Sequence, residues 1–286
     1  MSQVDQFESV FRSALKDFYT YETVKFSAVL LITDLDKNES EAFRKKTQDF
    51  LQHTRGIVSS DFFLICGNDF STTADLLQQI EQHQPDLVIT YRNLHSNAWR
   101  FPHSLGEHLD VLLQKTMIPV MVLPHPKAGY KAEHALQDTS EIMVVTDLRA
   151  VNDHLINHAV AFSQPQGNLY LSHVEDKRIF ERYVDAISKI DVLDTELART
   201  RLAEQLLKEP EDYFHSCAEA LHEQFPQLNV LSMVMFGELV KEYRHQIDSR
   251  QLDLLVLSAK DERQHAMHSV AYPLAVELRQ IPLLML

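Results

Sequence analysis

The chain repeats one strand–helix–strand pattern. The first copy begins with an apolar run after Asp86, continues through a polar loop and an amphipathic stretch, and ends in the apolar run 118–124. The second copy follows Asp253 in the same order and ends in the apolar run 281–286. Two parallel strands need a crossover between them, and an amphipathic helix supplies it. The duplication therefore predicts two similar α/β units in one chain.

Further apolar runs have the composition of buried parallel strands. They lie at 27–33, 61–67, 141–147, 168–174 and 229–237, and the run 61–67 matches 229–237 because both end in glycine. Amphipathic spacing predicts helices at 4–19, 39–54, 72–84, 105–116, 150–163 and 239–248, and two or three more over 177–224, broken near Pro210. Ser104 and Glu107 have the spacing of a capping box at the helix 105–116. Strands that alternate with helices predict an open α/β sheet covered on both faces.

The two copies differ in length. Asp34 and Asp147, which end the first strand of each copy, are 113 residues apart, whereas Asp86 and Asp253 are 167 apart. The 54 extra residues correspond to the strand 168–174 and the helices up to about residue 224. We therefore expect about four strands in the first domain and five in the second.

The domain boundaries follow from this spacing and from a segment rich in proline and polar residues. We assign residues 1–25 to an N-terminal helix, 26–124 to the first repeat, 125–140 to a linker and 141–286 to the second repeat. The first repeat is the trimmed one.

Composition restricts the classes of function. The 286 residues carry a formal net charge of −14, which disfavours nucleic acid and anionic membrane surfaces as partners. No apolar stretch approaches the roughly 20 residues that span a bilayer, and the N-terminus lacks the pattern of a secretion signal. The two cysteines, Cys66 and Cys217, predict free buried thiols rather than a disulfide framework. These features together predict a cytoplasmic protein.

The order of these strands resembles the universal stress protein family in its tandem two-domain form. The matching features are first strands ending in Asp (29–34 and 143–147), strands ending in Gly (62–67 and 230–237), the runs after Asp86 and Asp253, and the terminal Ile-Pro strands. The resemblance covers the chain from about residue 26. It implies an α/β fold of two tandem open parallel-sheet domains of the adenine nucleotide alpha hydrolase-like kind. It also implies an internal pseudo-dimer in which the strands 119–123 and 281–286 pair, with a homodimer as an open alternative.

The family's phosphate-binding loop is degenerate in both repeats. Nucleotide-binding members carry Gly-x2-Gly-x9-Gly-Ser/Thr after the fourth strand, where small residues let backbone amides approach phosphates. The first repeat has Tyr91-Arg92-Asn93-Leu94-His95 and keeps only Gly106, and the second has no Gly from Ser258 to residue 286. The chain is similar to glycine-poor tandem members, whose family role is stress survival without a defined reaction. We expect no cofactor, with ATP or AMP as doubtful ligands.

What remains of a site is expected at the carboxyl ends of the strands. The resemblance transfers the adenine-contacting position to Asp34 and Asp147, and the second repeat adds Ser258, Lys260 and Ser269 to a vestigial nucleotide site. The alternative is that each Asp caps its own strand-to-helix turn.

Several histidines have suggestive positions. His103-Ser104 and His268-Ser269 precede the last helix of each repeat, where the histidine could meet an anion and the serine could cap the helix. His154 and His158 have a metal-ligand spacing on one helix, but no third ligand is evident, so we predict no metal site. The sequence contains no nucleophile elbow, Walker loop or Cys-x-x-Cys, and we assign no catalytic residue.

Three functions are compatible with this sequence. The favoured hypothesis is a non-catalytic stress-response binding or regulatory module with an unknown protein partner. The second is a residual nucleotide or small-ligand binder of the ATP or AMP type, which uses Asp147, Ser258 and Lys260 of the second domain. The third is a hydrolase or transferase of the wider nucleotide-binding α/β superfamily.

Overall fold

A computed structural model describes residues 19–57, 60–146, 153–261, 264–267 and 271–286. The strands are β1 (Ala28–Ile32), β2 (Asp61–Ile65), β3 (Leu87–Tyr91), β4 (Val120–Leu123), β5 (Glu141–Val145), β6 (Asn168–Asp176), β7 (Asn229–Gly237), β8 (Leu254–Leu257), β9 (Lys260–Asp261), β10 (Gln264–Met267) and β11 (Leu283–Met285). The helices are α1 (Lys37–Leu51), α2 (Thr73–His83), α3 (Glu107–Lys115), α4 (Asp153–Phe162), α5 (Lys177–Ile187), α6 (Thr195–Gln224), α7 (Leu239–Arg250) and α8 (Ala271–Glu277), with a 3-10 turn at Asn97–Arg100.

Nine strands form one continuous sheet in the order β2-β1-β3-β4-β11-β8-β5-β6-β7. Neighbouring strands are parallel except at the centre, where β4 and β11 run antiparallel with Val122 opposite Leu283 and Val120 opposite Met285. The predicted pairing of the two terminal strands is therefore confirmed. It joins the repeats through backbone hydrogen bonds and leaves neither terminal strand as an exposed edge.

The repeats contribute four and five strands to this sheet, as the unequal spacing predicts. The predicted match between the strand 61–67 and the strand 229–237 is wrong in position. β2 lies next to the first strand of its repeat, as β6 does in the second, and β7 has no counterpart among the described strands of the first repeat. The glycines that suggested the match have different local causes. A Cβ on Gly67 would lie 2.6 Å from the Asp34 carbonyl oxygen, whereas a Cβ on Gly237 would meet the side chain of Glu242.

The strands are apolar because they are buried on both faces. All five residues of β3 and all four of β4 and of β8 are buried. These continuous apolar runs are typical of a parallel sheet between two helical layers. For the same reason the sequence places these strands within one or two residues of their observed bounds.

The predicted helix break near Pro210 is wrong. Helix α6 is 30 residues long and continues through Pro210. The break between α5 and α6 lies at 188–194. Asp194 caps α6 by accepting from the backbone N–H groups of Glu196 and Leu197, both at 3.0 Å. A proline within a helix removes one backbone hydrogen bond. The C-terminal half of α6 has a buried face, which includes Tyr213, Phe214, Cys217 and Leu221. The packing of this face stabilises the helix where the hydrogen bond is missing.

The start of the described chain packs on helix α4 of the second repeat. Residues 19–26 have no regular secondary structure, so this part of the predicted N-terminal helix is wrong, and residues 1–18 lie outside the described residues. The hydroxyl of Tyr19 donates to Asn157 Oδ1 at 2.7 Å, and the rings of Phe26 and Phe162 are 5.2 Å apart. The N-terminal segment of the first repeat thus lies along α4. The proposed boundaries at 26, 124 and 141 stay a prediction.

None of the helices within the described ranges has the length and apolar character that crossing a bilayer requires.

Candidate functional site

Asp34 lies at the carboxyl end of β1, where the sequence predicts a ligand contact. Both of its carboxylate oxygens accept hydrogen bonds from the chain itself. The hydroxyl of Tyr91 donates to Oδ1, and the backbone N–H of His95 donates to Oδ2 at 2.8 Å. The Asp34 N–H in turn donates to the Tyr91 hydroxyl oxygen at 3.0 Å. The carboxylate therefore joins the end of β1 to the loop that follows β3.

Tyr91 is the side chain that links the end of β1 to the end of β3. It is fully buried, and burial together with the hydrogen bond to Asp34 raises the pKa of its phenol. A phenol that stays protonated remains a donor to the carboxylate. The sequence identifies Tyr91 only as a strand end, because nothing local indicates that its hydroxyl reaches a residue 57 positions earlier.

The loop after β3 occupies the region where the family's glycine motif would begin. Asn93 and His95 both have positive φ angles, of 59° and 56°. The Asn93 N–H donates to the Leu105 carbonyl at 2.9 Å, which folds the loop against the start of α3. Gly106 has φ 90°, and a Cβ there would lie 2.7 Å from the Asn93 Cα. Gly106, the one glycine of the family motif that this loop keeps, is therefore required by the conformation of the loop itself.

The predicted capping box at α3 is wrong. Gly106, not Ser104, is the N-cap residue of α3, and it makes no side-chain capping bond. The Ser104 hydroxyl instead donates to Asn93 Oδ1 at 3.4 Å, because the loop holds Asn93 beside it. His103 stacks on Phe101 with the ring planes 8° apart. These contacts are internal to the loop, and the anion contact considered for His103-Ser104 stays a prediction.

A small cleft of about 270 Å³ opens beside Asp34. Trp99 and His125 stack in its wall with their ring centroids 4.3 Å apart and their planes 11° apart. Burial lowers the pKa of His125 to about 4, although Asp34 acts in the opposite direction. Its Nδ1 accepts from the Lys127 backbone N–H at 3.2 Å, which fits a neutral ring. No sequence motif points to either aromatic residue, although Trp99 is the only tryptophan in the chain.

The predicted site of the second repeat lies mostly outside the described residues and stays a prediction. Asp147 and Ser269 lie outside the described residues, as does the side chain of Lys260. Ser258 is half-buried directly after β8 and is engaged in an interaction of its own. The predicted polar loop after β8 instead contains the short hairpin of β9 and β10.

A larger groove, of about 650 Å³, lies over the carboxyl ends of β6 and β7. Helices α5, α6 and α7 form its walls, and within the described residues the first repeat has no equivalent of α5 and α6. At its floor, a ring nitrogen of His173 lies 3.3 Å from the Thr146 carbonyl oxygen and the other lies 3.3 Å from Glu175 Oε2. The sequence analysis places ligands at this edge of the sheet but does not indicate this groove.

The histidine pair considered for a metal has other contacts. A ring nitrogen of His158 bonds to the His154 carbonyl oxygen at 2.8 Å, and burial lowers the pKa of His158 to about 4. Among the residues that the structure describes, no group of three or more His, Cys, Asp or Glu could hold a metal ion. The free state of both cysteines is confirmed, but Cys66 is only half-buried while Cys217 is buried.

Arg92 follows Tyr91 and serves the interface between the repeats. It is fully buried and donates to the carbonyl oxygens of Ala275 and Leu278 at the C-terminal end of α8. Burial lowers the pKa of Arg92 to about 10. Arg279 crosses the interface in the other direction and donates to the Trp99 carbonyl at 3.2 Å. Arg92 therefore joins the first repeat to α8 of the second repeat.

Solved structures share this architecture. A universal stress protein from Archaeoglobus fulgidus DSM 4304 is 10% identical and superposes with a TM-score of 0.55, over 90% of this chain and 97% of its own. A proposed universal stress protein from Pseudomonas aeruginosa UCBPP-PA14 is 10% identical with a TM-score of 0.50, over 91% and 93%. No protein-family model and no curated protein sequence matches the chain. The fold is thus that of universal stress proteins, as the sequence resemblance predicts.

Proposed function

We propose that this chain is a universal stress protein-like, non-catalytic binding or regulatory module. Its first nucleotide site is obstructed by contacts within the chain itself. The observation that supports this most directly is that each Asp34 carboxylate oxygen already accepts a hydrogen bond, one from the Tyr91 hydroxyl and one from the His95 backbone N–H. The proposed setting is the cytoplasm, the proposed partner is another protein, and the paired repeats act as an internal pseudo-dimer.

The energetics of the Asp34 site support this proposal. An adenine that used Asp34 would compete with the Tyr91 hydroxyl and the His95 N–H for the carboxylate oxygens. Each of these donates to a charged acceptor, and such a bond contributes about 1.5–3 kcal/mol. A displaced Tyr91 hydroxyl would also lose its carboxylate partner inside the fold, because the residue is fully buried. Backbone packing of Asn93 against Gly106 further restricts the close approach that phosphates need.

Thermal-shift titration tests the proposal. We expect ATP, ADP and AMP at millimolar concentration to leave the Tm of the wild-type chain unchanged, because a ligand that binds the folded state must raise it. Tyr91→Phe removes the donor to Asp34 and serves as the variant in which the site is opened. Nucleotide stabilisation of the wild type that Asp34→Asn abolishes would contradict the proposal.

The second repeat supports an alternative. Its groove of about 650 Å³ has the size of a small-ligand pocket, for which about 300–1,000 Å³ is usual. The residual nucleotide or small-ligand site predicted for the second repeat would use Asp147, Ser258 and Lys260, and the described lining of this groove does not include Ser258. A Tm increase that survives Asp34→Asn but is lost in Ser258→Ala and Lys260→Ala would favour this alternative.

A further inference from the structure

The strand β7 forms one edge of the nine-stranded sheet. Within the described ranges it pairs with β6 alone, in a parallel register that stays regular from Asn229 to Gly237. Its nine residues extend about 30 Å at the usual rise per residue of a strand. The strand at the other edge, β2, has five residues and begins with Asp61. The sheet therefore has one short edge and one long edge.

β7 lacks the features that usually protect an edge strand. Edge strands commonly carry a charged side chain, a proline or a bulge, because their unpaired backbone groups can pair with another chain. The sequence of β7, Asn-Val-Leu-Ser-Met-Val-Met-Phe-Gly, contains no charged residue and no proline. It pairs with β6 residue for residue, without a bulge. In the described part of the chain this edge is thus open to a further strand.

Every second residue of β7 directs its backbone groups away from β6. The Asn229 N–H donates to the Gly167 carbonyl at 3.0 Å and so faces the β6 side. Successive residues of a strand direct their N–H and C=O groups to opposite sides. The residues with outward groups are therefore Val230, Ser232, Val234 and Phe236. Each of them offers one donor and one acceptor along the outer edge.

The apolar side chains of β7 are incompletely covered. The half-buried ones are Val230, Leu231, Val234, Met235 and Phe236. By contrast, all five residues of the interior strand β3 are buried. Helix α6 contacts β7, and the ring of Phe180 on α5 lies 4.6 Å from the ring of Phe236. The helices of the second repeat thus cover β7 only in part, which leaves apolar surface for a neighbouring strand to bury.

The outer edge of β7 is complementary to itself. Two copies related by a two-fold axis at Met233 would run antiparallel, with Val230 opposite Phe236 and Ser232 opposite Val234. These are the residues whose backbone groups face outward, and each such pair exchanges two hydrogen bonds. The two strands would thereby form about eight backbone hydrogen bonds without placing like charges opposite each other.

Net charge and symmetry favour a second copy at this edge. The chain has a formal net charge of −14, so charged surfaces of two copies repel each other. β7 contributes no charge to a contact between copies. Every copy carries the same open edge, and a two-fold contact lets each edge pair with the other and closes the assembly at a dimer.

We propose that a second copy of this chain binds at this edge, by antiparallel pairing of β7 with β7 about a two-fold axis at Met233. The sheet would then continue from one copy into the next. This contact is distinct from the pairing of β4 with β11, which joins the two repeats within one copy. The proposal does not depend on the state of the Asp34 site.

Sedimentation of the full chain across a dilution series tests this pairing. We expect a species of about twice the 33.0 kDa of one copy at micromolar concentration, which dissociates on dilution. Ser232→Lys brings like charges of the two copies together near the axis and should raise the Kd at least about tenfold. Ser232→Ala, which leaves the edge uncharged, is the matched control and should keep the Kd of the wild type. A wild type that stays monomeric at micromolar concentration, or equal Kd values for the lysine and alanine variants, would overturn the proposal.

Proline at the same position tests the backbone hydrogen bonds. The Ser232 N–H faces away from β6, so Ser232→Pro removes a donor of the proposed contact and leaves the β6 ladder in place. We expect a folded chain that is monomeric at micromolar concentration. Met233→Pro is the matched control, because the Met233 N–H faces β6, and it should lower the Tm by much more than Ser232→Pro does. A Ser232→Pro chain that dimerises with the Kd of the wild type would contradict the pairing, and the lysine variant remains decisive if the proline variant does not fold.

Hydrogen exchange identifies what covers the edge. In the dimer the amides of Ser232 and Val234 should exchange at least about tenfold more slowly than in the diluted monomer. The amides of Leu231 and Met233, which face β6, should be protected in both states. Protection of Ser232 and Val234 that persists in the monomer would assign the edge to a cover within the chain and overturn the proposal.

Discussion

Arg92 and Ala275 are 183 residues apart and joined by two hydrogen bonds. The guanidinium Nε and Nη2 donate to the Ala275 carbonyl at 2.9 and 2.7 Å, and Nη2 also donates to the Leu278 carbonyl at 2.9 Å. These carbonyls lie at the C-terminal end of α8, where helix carbonyls lack intrahelical partners and a cation is favourable. Arg92, which follows β3 of the first repeat, thus caps the C-terminal end of α8 in the second repeat.

Loss of this cap should destabilise the whole chain. We expect Arg92→Met to lower the free energy of unfolding by about 2–4 kcal/mol, because two carbonyl oxygens lose a charged donor. Arg92→Lys should lose less, since an ammonium keeps the charge but not the fork geometry. The measurement is urea denaturation. Arg201→Met, at an exposed position on α6, is the matched control and should leave the midpoint nearly unchanged. Equal midpoints for Arg92→Met and this control would contradict the role.

Gly106 should not tolerate a side chain. Gly106→Ala places a Cβ 2.7 Å from the Asn93 Cα at a backbone φ of 90°. We expect a stability loss of about 1–3 kcal/mol, which is the usual cost of such backbone strain. Gly129→Ala is the control, because a Cβ there meets nothing within 4 Å. The two variants are compared by chemical denaturation, and a similar stability for both would show that the loop can move away.

Asp253 should make stability depend on pH. Its Oδ2 accepts from the Glu141 N–H at 2.8 Å and the Ser140 hydroxyl at 3.2 Å. Burial raises the pKa of Asp253 from 3.8 to about 7, and the carboxylate of Asp138 acts in the same direction. The folded state therefore holds this proton more tightly than the unfolded state. The stabilisation is complete below about pH 4 and is lost as the pH rises through 7.

Asp253→Asn should remove that dependence. The stability of the wild type relative to this variant should fall between pH 4 and 7, by at most about 1.4 kcal/mol per pH unit. Asp86→Asn is the matched control, since Asp86 holds the start of β1 through the Ser27 and Ala28 N–H groups as Asp253 holds the start of β5. Thermal unfolding over this pH range is the measurement. A difference between wild type and Asp253→Asn that stays constant with pH would contradict the assignment.

His125 should make the stability fall at low pH, which is the opposite of the pH dependence expected from Asp253. Burial lowers its pKa to about 4, so the folded state releases a proton that the unfolded state keeps. Its contribution is present above about pH 6.5, the ordinary value of histidine, and is lost as the pH falls towards 4.

His125→Phe keeps a ring against Trp99 and removes the titration. The stability of the wild type relative to this variant should decline from pH 6.5 to 4, as followed by urea midpoints. His103→Phe, at an exposed position, is the control and should show no comparable decline. If the two histidine variants behave alike over this range, burial of His125 is not what governs the acid response.

Sequence reasoning succeeds for elements whose identity depends on burial alone. Strands β3, β4 and β8 are buried on both faces, so their apolar runs are visible without knowledge of their neighbours. The predicted pairing of β4 with β11 is also confirmed. This pairing could be predicted from the resemblance to tandem universal stress proteins and not from burial. The match of strand 61–67 to 229–237 fails because similarity at a strand end does not define its neighbour in a sheet.

The candidate site could be predicted only in part. Asp34 is correctly placed at a strand end, but its partners Tyr91 and His95 depend on a loop with positive φ at Asn93 and His95. Such a conformation is set by the fit of Gly106 to Asn93, which no local pattern indicates. The candidates Asp147 and Ser269 lie outside the described residues, so their roles stay predictions.

The sequence by itself determined that the chain contains two unequal α/β repeats whose phosphate loops lack most of the glycines of the family motif, since hydrophobic periodicity and residue size are local properties. Only the tertiary structure decided which groups the residues after β1 and β3 contact. Hydrogen bonds from Tyr91 to Asp34 and from Arg92 to Ala275 join residues far apart in the chain. Such contacts depend on the three-dimensional approach of strands and loops, which no local pattern of residues specifies.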